Sequence, residues 1–111
     1  MAIIFIPTDP FKKTVNKLVH KGNLLTEDLD ELKLLLAKNP TKGDLISGTG
    51  GMRKIRIKSA SRGKSGGFRI CYYYYVIGST IYLFAIYPKN DQTDLTPEEK
   101  KLFKIAIKSL N

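Results

Sequence analysis

The sequence is poor in the residues that build disulfides, metal sites and membrane spans. Its 111 residues include one cysteine, Cys71, and one histidine, His20. One cysteine excludes an intrachain disulfide and fits a reducing cytoplasm. The same scarcity predicts no metal site and no cysteine–histidine pair. The opening apolar run, Ala2 to Ile6, is too short for the core of a signal peptide, and nothing approaches the roughly 20 apolar residues of a membrane span. We therefore expect a cytoplasmic protein without a cofactor.

Acidic residues are also scarce. There are 10 Asp and Glu residues against 19 Lys and Arg residues, for a formal net charge of +9. Residues 1–47 hold 7 basic and 6 acidic residues, whereas residues 48–111 hold 12 and 4. The stretch RKIRIKSASRGKSGGFR, from Arg53 to Arg69, has seven basic residues and no acidic one. A basic half of this kind indicates a polyanionic partner, either nucleic acid or an anionic membrane surface.

Three segments carry the signals of helices. Asp9 followed by Pro10 predicts an N-cap and a first turn. A second helix is predicted to begin near Thr26 and to stop at Asn39-Pro40, and Thr96 to Glu99 form a capping box before a C-terminal helix. Apolar residues at helical spacing are predicted to face the core: Phe11, Val15, Leu18, Val19, Leu29, Leu32, Leu35, Leu36, Leu102, Phe103, Ala106, Ile107 and Leu110.

The remaining regular segments have the composition of strands. Ala2 to Ile6 predicts a first strand, and Met52 to Lys58 alternates between apolar and basic residues. Phe68 to Ile77 and Thr80 to Tyr87 follow, joined by a turn at Gly78-Ser79. The last of these strands is apolar on both faces, so we expect it to be central and covered on both sides. The order predicts one α+β domain over residues 1–111, with an N-terminal strand and helix hairpin, an antiparallel β meander and a C-terminal helix.

Alternation also predicts a cationic face on the sheet. It sends Ile55 and Ile57 towards the core, while the basic residues of the strand project from the opposite face: Lys54, Arg56 and Lys58. The following strand returns Arg69 to the same face, within cross-strand distance of Lys54 and Arg56. Because like charges placed opposite one another repel, we expect an anion between them. Phosphate fits best, since arginine offers a bidentate fork and lysine a point charge.

Other motifs favour structural interpretations. Gly63-Lys64-Ser65 resembles the end of a phosphate-binding P-loop, but the glycine required five residues earlier is replaced by Lys58 and a strand follows. Gly48 to Gly51 is no dinucleotide fingerprint and is predicted to be a flexible turn. In the run Tyr72 to Tyr75, alternate rings are predicted to face the core, and Cys71 is predicted to be a packed strand residue.

Two longer stretches, GTGGMRKIRIKSASRGKSGGFRICYYY and IYLFAIYPKNDQTDLTPEE, resemble the RelE/ParE superfamily of bacterial toxins, most closely its HigB-like branch. The similarity runs from about Asn39 to the C-terminus. It implies the RelE-like fold and a type II toxin, a ribosome-dependent endoribonuclease that cleaves mRNA in the ribosomal A site and arrests translation. The implied partners are the ribosome, mRNA and a cognate antitoxin, a HigA-like helix-turn-helix protein. No membrane, metal or cofactor is implied.

The resemblance also implies site residues. The catalytic positions fall on Lys54, Arg56, Arg69, Lys89 and Asn90. Contacts to RNA or the ribosome are expected from a second group of residues: Arg53, Lys58, Arg62, Lys64 and Tyr87. RelE itself has an arginine where this chain has Asn90, and a tyrosine near Thr96 that is absent here, so Lys89 or Tyr87 would take those roles.

The implied reaction is attack of an RNA 2′-hydroxyl on the adjacent phosphate. Lys54, crowded by other cations, is the candidate base. Arg56 and Arg69 would stabilise the developing negative charge, and Lys89 would donate a proton to the leaving oxygen. No acidic residue is expected in this site, so alignment of the RNA by the ribosome would supply much of the acceleration.

Two other functions are compatible with the sequence. A ParE-like gyrase inhibitor would use the same fold without nuclease activity, although the basic strand argues against it. A non-catalytic RNA-binding module would need only the electrostatic affinity of the basic half.

Overall fold

Three helices and five strands make up the part of the chain that the computed structural model describes, residues 2–58, 67–88 and 95–110. This content and order confirm the predicted α+β fold. In chain order the elements are β1 (Ile4–Pro7), α1 (Asp9–His20), α2 (Thr26–Lys38), β2 (Asp44–Leu45), β3 (Arg53–Ile57), β4 (Phe68–Tyr75), β5 (Thr80–Pro88) and α3 (Pro97–Leu110).

The strands form one mixed sheet in the order β1-β5-β4-β3-β2. The meander β3-β4-β5 is antiparallel as predicted, and its second turn covers residues 76–79 rather than Gly78-Ser79 alone. β1, however, pairs in parallel with β5. A parallel pair needs a long crossover connection, which α1, α2 and the meander provide. The sheet is therefore not wholly antiparallel, and the short strand β2 was not predicted.

Side chains define where the helices begin. Thr8, not Asp9, is the N-cap of α1, because its hydroxyl accepts a hydrogen bond from the Phe11 N–H at 3.3 Å. The predicted capping box of α3 is confirmed. Glu99 N–H donates to the Thr96 hydroxyl at 3.1 Å, and Thr96 N–H donates to the Glu99 carboxylate at 2.9 Å. These bonds satisfy N–H groups that a helix start leaves without partners.

The first face of the sheet packs against α1 and α2. Apolar residues from both helices, from the loop between them and from the three strands of the meander form its core. The buried members of this cluster are Phe11, Leu24, Leu32, Leu36, Ile57, Phe68, Ile70, Tyr72, Ile81, Leu83 and Ile86. At about 25 cal/mol per Å² of buried apolar surface, this larger cluster is a main source of folding free energy.

The second face packs against α3. Ile107 is buried there with Cys71 and Met52, and the rings of Phe84 and Phe103 meet edge to face, with centroids 5.9 Å apart. Leu102, predicted to face the core, is instead 65% exposed. α3 therefore covers the sheet with a narrower apolar stripe than its sequence indicates.

A bulge in β5 changes which of its residues share a face. Cys71 pairs with Ala85, but Tyr72 pairs with Leu83, so Phe84 is an extra residue on β5. Phe84 and Ala85 consequently both pack on the α3 face, and Tyr87 follows on that face two residues later. Residues of β5 pack into the apolar core on each side of the sheet, so the prediction that both of its faces are covered is confirmed.

Candidate active site

Three basic side chains lie on one face of the β3–β4 pair. Arg56 is directly opposite Arg69, and Lys54 is directly opposite Cys71. Residues that oppose each other in an antiparallel pair project to the same side, with β-carbons about 5 Å apart. The prediction that Lys54, Arg56 and Arg69 share a face is therefore confirmed, and we call these three residues the cationic cluster.

The cationic cluster lines an open cavity of about 460 Å³, together with Asp44 and Ile55. That volume lies within the range of small-molecule sites, about 300–1,000 Å³. Its lining includes Arg56 and Arg69, and the guanidinium group of an arginine can bind two phosphate oxygens at once. The cavity can therefore hold a phosphate group with part of the attached nucleotide.

Asp44 brings a carboxylate into this cavity, so the expectation of a site without acidic residues was wrong. β2 pairs with β3 so that Asp44 lies opposite Lys54. The two residues are ten positions apart, and only the hairpin between the strands joins them. The sequence did contain a usable signal, since the glycine-rich segment 48–51 is a turn that would pair the residues on either side of it.

A hydrogen-bonded anchor fixes the chain just before Asp44. Tyr72, fully buried, donates from its hydroxyl to the Pro40 carbonyl at 2.9 Å and accepts from the Gly43 N–H at 2.9 Å. A β-carbon on Gly43 would lie 2.8 Å from the Lys54 carbonyl oxygen and from the Tyr72 ring. Only glycine permits this approach, which sets where β2 meets β3.

Tyr87 adjoins the cationic cluster. It lies opposite Arg69 on the neighbouring strand and shares side-chain hydrogen bonds with Arg69 and Cys71. Burial is the main reason that the pKa of the Tyr87 phenol is raised above its ordinary value of 10.0. The charge interaction with Cys71 is the second reason and acts in the same direction. The hydroxyl is therefore protonated at neutral pH and able to donate.

Cys71 lies directly opposite Lys54 and has no exposed surface, so it is a packed strand residue as predicted. Burial raises the pKa of its thiol from 9.0 to about 11, and the hydrogen bond with Tyr87 opposes that effect. A thiol with this environment is not a nucleophile at neutral pH. Its contribution is to packing and to the position of Tyr87.

The raised pKa of Cys71 predicts a loss of stability in alkaline solution. The neutral thiol favours the folded state below pH 9, and this advantage disappears as pH rises from 9 to about 11. The loss should reach about 2–3 kcal/mol. Urea unfolding measured from pH 7 to 11 should show a steeper decline for the wild-type chain than for Cys71→Ala. Equal slopes would contradict this assignment.

Arg53 and Lys58, expected to contact RNA or the ribosome, do not line the cavity that the cationic cluster shares with Asp44. Arg53 faces the other side of β3, where its Nη1 donates to the carbonyls of Gly43 at 2.6 Å and Thr41 at 3.2 Å. It therefore holds the segment that leads to Asp44. Lys58 follows β3 and lines a second cavity, which it shares with Arg56 and with Glu31 of α2.

The remaining predicted site residues, Arg62, Lys64, Lys89 and Asn90, lie outside the described residues. Within the described ranges, no group of three His, Cys, Asp or Glu side chains is placed to hold a metal ion. None of the described helices is long and apolar enough to cross a membrane.

Comparison with known proteins identifies a toxin family. The family model described as the RelE toxin of the RelE/RelB toxin–antitoxin system matches residues 11–111. The fold is similar to that of the E. coli toxin RelE, solved in the free state as a double arginine-to-alanine mutant. The TM-score is 0.62, the sequence identity is 15%, and the match covers 100% of both chains. At this identity the structural match shows only a shared fold. The family model covers nearly the whole sequence, and the family assignment therefore rests on it.

Proposed function

The chain belongs to the RelE toxin family, whose members are ribosome-dependent endoribonucleases, and we propose that the cationic cluster and Asp44 form the site at which it cleaves mRNA. The observation that carries this proposal is the register of β3 and β4, which places Arg56 opposite Arg69 beside Lys54 in one cavity. Like charges held this close repel one another, and the carboxylate of Asp44 lies opposite Lys54 rather than opposite either arginine. An RNA phosphate in the ribosomal A site is the anion that binds between Arg56 and Arg69.

The arginines stabilise the transition state. When the RNA 2′-hydroxyl attacks the adjacent phosphorus, negative charge accumulates on the non-bridging oxygens. Arg56 and Arg69 approach the cavity from neighbouring strands, so their guanidinium groups can bind two different oxygens. The bond to the 5′-oxygen then breaks, leaving a 2′,3′-cyclic phosphate and a new 5′-hydroxyl. Groups preorganised by a sheet stabilise the developing charge without the cost of reorienting water.

Proton transfer needs a base for the 2′-hydroxyl and an acid for the leaving oxygen. Asp44 and Lys54 are opposite each other in the cavity, and each is a candidate base. A carboxylate offers acceptor oxygens whereas an ammonium group offers only donors, so Asp44 is the favoured base and Lys54 is its neighbour across the strand pair. Tyr87 is the candidate acid among the described residues, because its hydroxyl carries a proton and lies opposite Arg69 beside the cavity. Lys89 is the other candidate.

Asp44→Asn distinguishes these bases. If the carboxylate takes the proton, cleavage on the ribosome should fall by about 10²–10⁴-fold, while ribosome binding should be retained or strengthened by the loss of a negative charge. Asp30→Asn, which removes an exposed carboxylate on α2, should cleave normally. Single-turnover cleavage rates measure both. Normal cleavage by Asp44→Asn, with loss of cleavage in Lys54→Met, would assign the base to Lys54.

The activity itself is tested by adding purified protein to a translation extract and mapping the ends of the mRNA by primer extension. The expected result is cleavage only when ribosomes are translating, with 5′-hydroxyl and cyclic phosphate ends. Cleavage of free mRNA would contradict ribosome dependence. Inhibition of gyrase supercoiling would support the ParE-like alternative, which the family match does not favour. RNA retention without cleavage would support a binding module.

The partners and compartment follow from this activity. A nuclease that stops translation must be held inactive, so we infer a cognate antitoxin. We propose that it is a HigA-like helix-turn-helix protein, because the sequence resembles the HigB-like branch. The cytoplasm is the proposed compartment, since ribosomes and mRNA are there.

A further inference from the structure

The turn between β2 and β3, residues 48–51, is built almost wholly of glycine, and we call it the glycine turn. Gly48, Gly50 and Gly51 have φ values of +81°, +78° and +125°. Thr49 is fully buried. Its hydroxyl donates to the Ile46 carbonyl at 2.6 Å and accepts from the Met52 N–H at 3.0 Å. The turn is therefore held together by its own hydrogen bonds, rather than being the flexible segment that its composition predicts.

The turn offers unused main-chain donors. Among the described residues, none accepts a hydrogen bond from the N–H of Gly48 or Gly50. Gly48 and Gly50 are exposed and Gly51 is partly exposed. Turns with positive-φ residues form concavities in which main-chain N–H groups bind anions. Without β-carbons, the glycines also let a ligand approach the backbone closely.

Two lysines of α3 lie along the same turn. A β-carbon placed on Gly48 would be 3.8 Å from Cδ of Lys100, and one placed on Gly50 would be 3.6 Å from Cγ of Lys104. The aliphatic parts of these side chains therefore pack against the turn, and a lysine packed in this way keeps its ammonium group in water. Lys108 follows one helical turn later, so positive charges recur about every 6 Å along the helix.

We propose that the glycine turn and the lysines Lys100, Lys104 and Lys108 form a second phosphate-binding surface, which docks the toxin on the backbone of ribosomal RNA. This inference rests on the proposed function, because it assumes a substrate held on the ribosome. The surface is separate from the cationic cluster. Five residues of chain lead from Gly51 to Arg56, a separation of roughly 16 Å in an extended strand. A phosphate bound at the turn therefore cannot be the one that reacts.

The chemistry of the surface favours RNA over a protein partner. Main-chain N–H groups and lysine ammonium groups are donors that bind phosphate oxygens without reading sequence. The lysine spacing is comparable to the separation of neighbouring phosphates along an RNA strand. The exposed residues of the turn, Gly48 and Gly50, carry no apolar side chain from which the core of a protein–protein interface could be built.

Lys100→Gln/Lys104→Gln tests this surface against Lys13→Gln/Lys17→Gln. Both pairs are four residues apart on a helix and lose the same charge, and glutamine preserves most of the aliphatic stem. All variants carry Arg56→Ala, so that binding is measured without cleavage. We expect the α3 pair to weaken binding to purified ribosomes at least tenfold, and to lower the slope of log Kd against log salt by about 1–2. The α1 pair should change neither by more than about twofold.

The results distinguish failure of the docking surface from failure of the proposed function. A selective loss in the α3 pair supports the docking surface. Equal effects of the two pairs would overturn it, because net charge rather than location would then govern binding. If the chain with Arg56→Ala alone does not bind ribosomes while wild-type protein also fails to cleave ribosome-bound mRNA, the proposed function fails together with this inference. Wild-type cleavage combined with equal effects of the two pairs removes only the docking surface.

Discussion

Arg56→Ala and Arg69→Ala should each abolish growth arrest while leaving the protein folded. Removing one donor that stabilises developing oxyanion charge costs about 10²–10³-fold in rate, and each substitution removes a bidentate partner for the phosphate. Neither side chain belongs to the two apolar clusters. Arg56→Ala relieves the repulsion between directly opposed guanidinium groups, so its melting temperature should stay the same or rise. Arg69→Ala also loses the hydrogen bond with Tyr87, so its melting temperature should be equal to or slightly below that of the wild type. Cleavage rates on programmed ribosomes and thermal unfolding measure the two effects.

Arg53→Ala is the matched control from the same strand. Its guanidinium holds the carbonyls of Thr41 and Gly43, so this variant should lose stability by about 1–3 kcal/mol. Any loss of activity in Arg53→Ala should therefore follow its loss of stability. Arg56→Lys should retain only part of the wild-type activity, because lysine keeps the positive charge but cannot bind two phosphate oxygens side by side as arginine does. Full toxicity of the double variant Arg56→Ala/Arg69→Ala would exclude the cationic cluster as the reaction site.

Ile70→Asp should prevent folding. Ile70 has no exposed surface and lies in the cluster between the sheet and the two N-terminal helices. An aspartate there must either bury an unpaired charge or become protonated, at a cost of several kcal/mol in addition to the lost apolar contacts. That cost is comparable to the total stability of a small domain, about 5–15 kcal/mol. Circular dichroism and the soluble yield on expression should both show the loss of the native state.

Ile77→Asp is the control for this substitution. Ile77 is 88% exposed in the turn between β4 and β5, so its replacement should leave the melting temperature within about 2–3 °C. Ile55→Asp should be intermediate, since Ile55 is only partly buried against the same cluster and also lines the active-site cavity. A cooperative unfolding transition in Ile70→Asp would show that the strand faces are the reverse of those described.

The sequence alone determined the features that depend on short-range periodicity. Alternation over β3 separates Lys54 and Arg56 from Ile55, because successive side chains of a strand point to opposite faces. The capping box at Thr96 is equally local, since its two hydrogen bonds join residues three positions apart. The face that carries the cationic cluster could therefore be predicted before its position in the sheet was known.

The tertiary structure decided which distant residues meet at that face. Asp44 enters the cavity only because the register of β2 against β3 places it opposite Lys54. The buried hydroxyl of Tyr72 fixes that register by accepting a hydrogen bond from the Gly43 N–H. Tyr87 comes beside Arg69 because a bulge at Phe84 shifts the alternation of β5 by one residue. A register and a bulge each depend on packing between strands that are far apart in the chain. No periodicity within one strand contains that information, because the same alternating sequence fits more than one register.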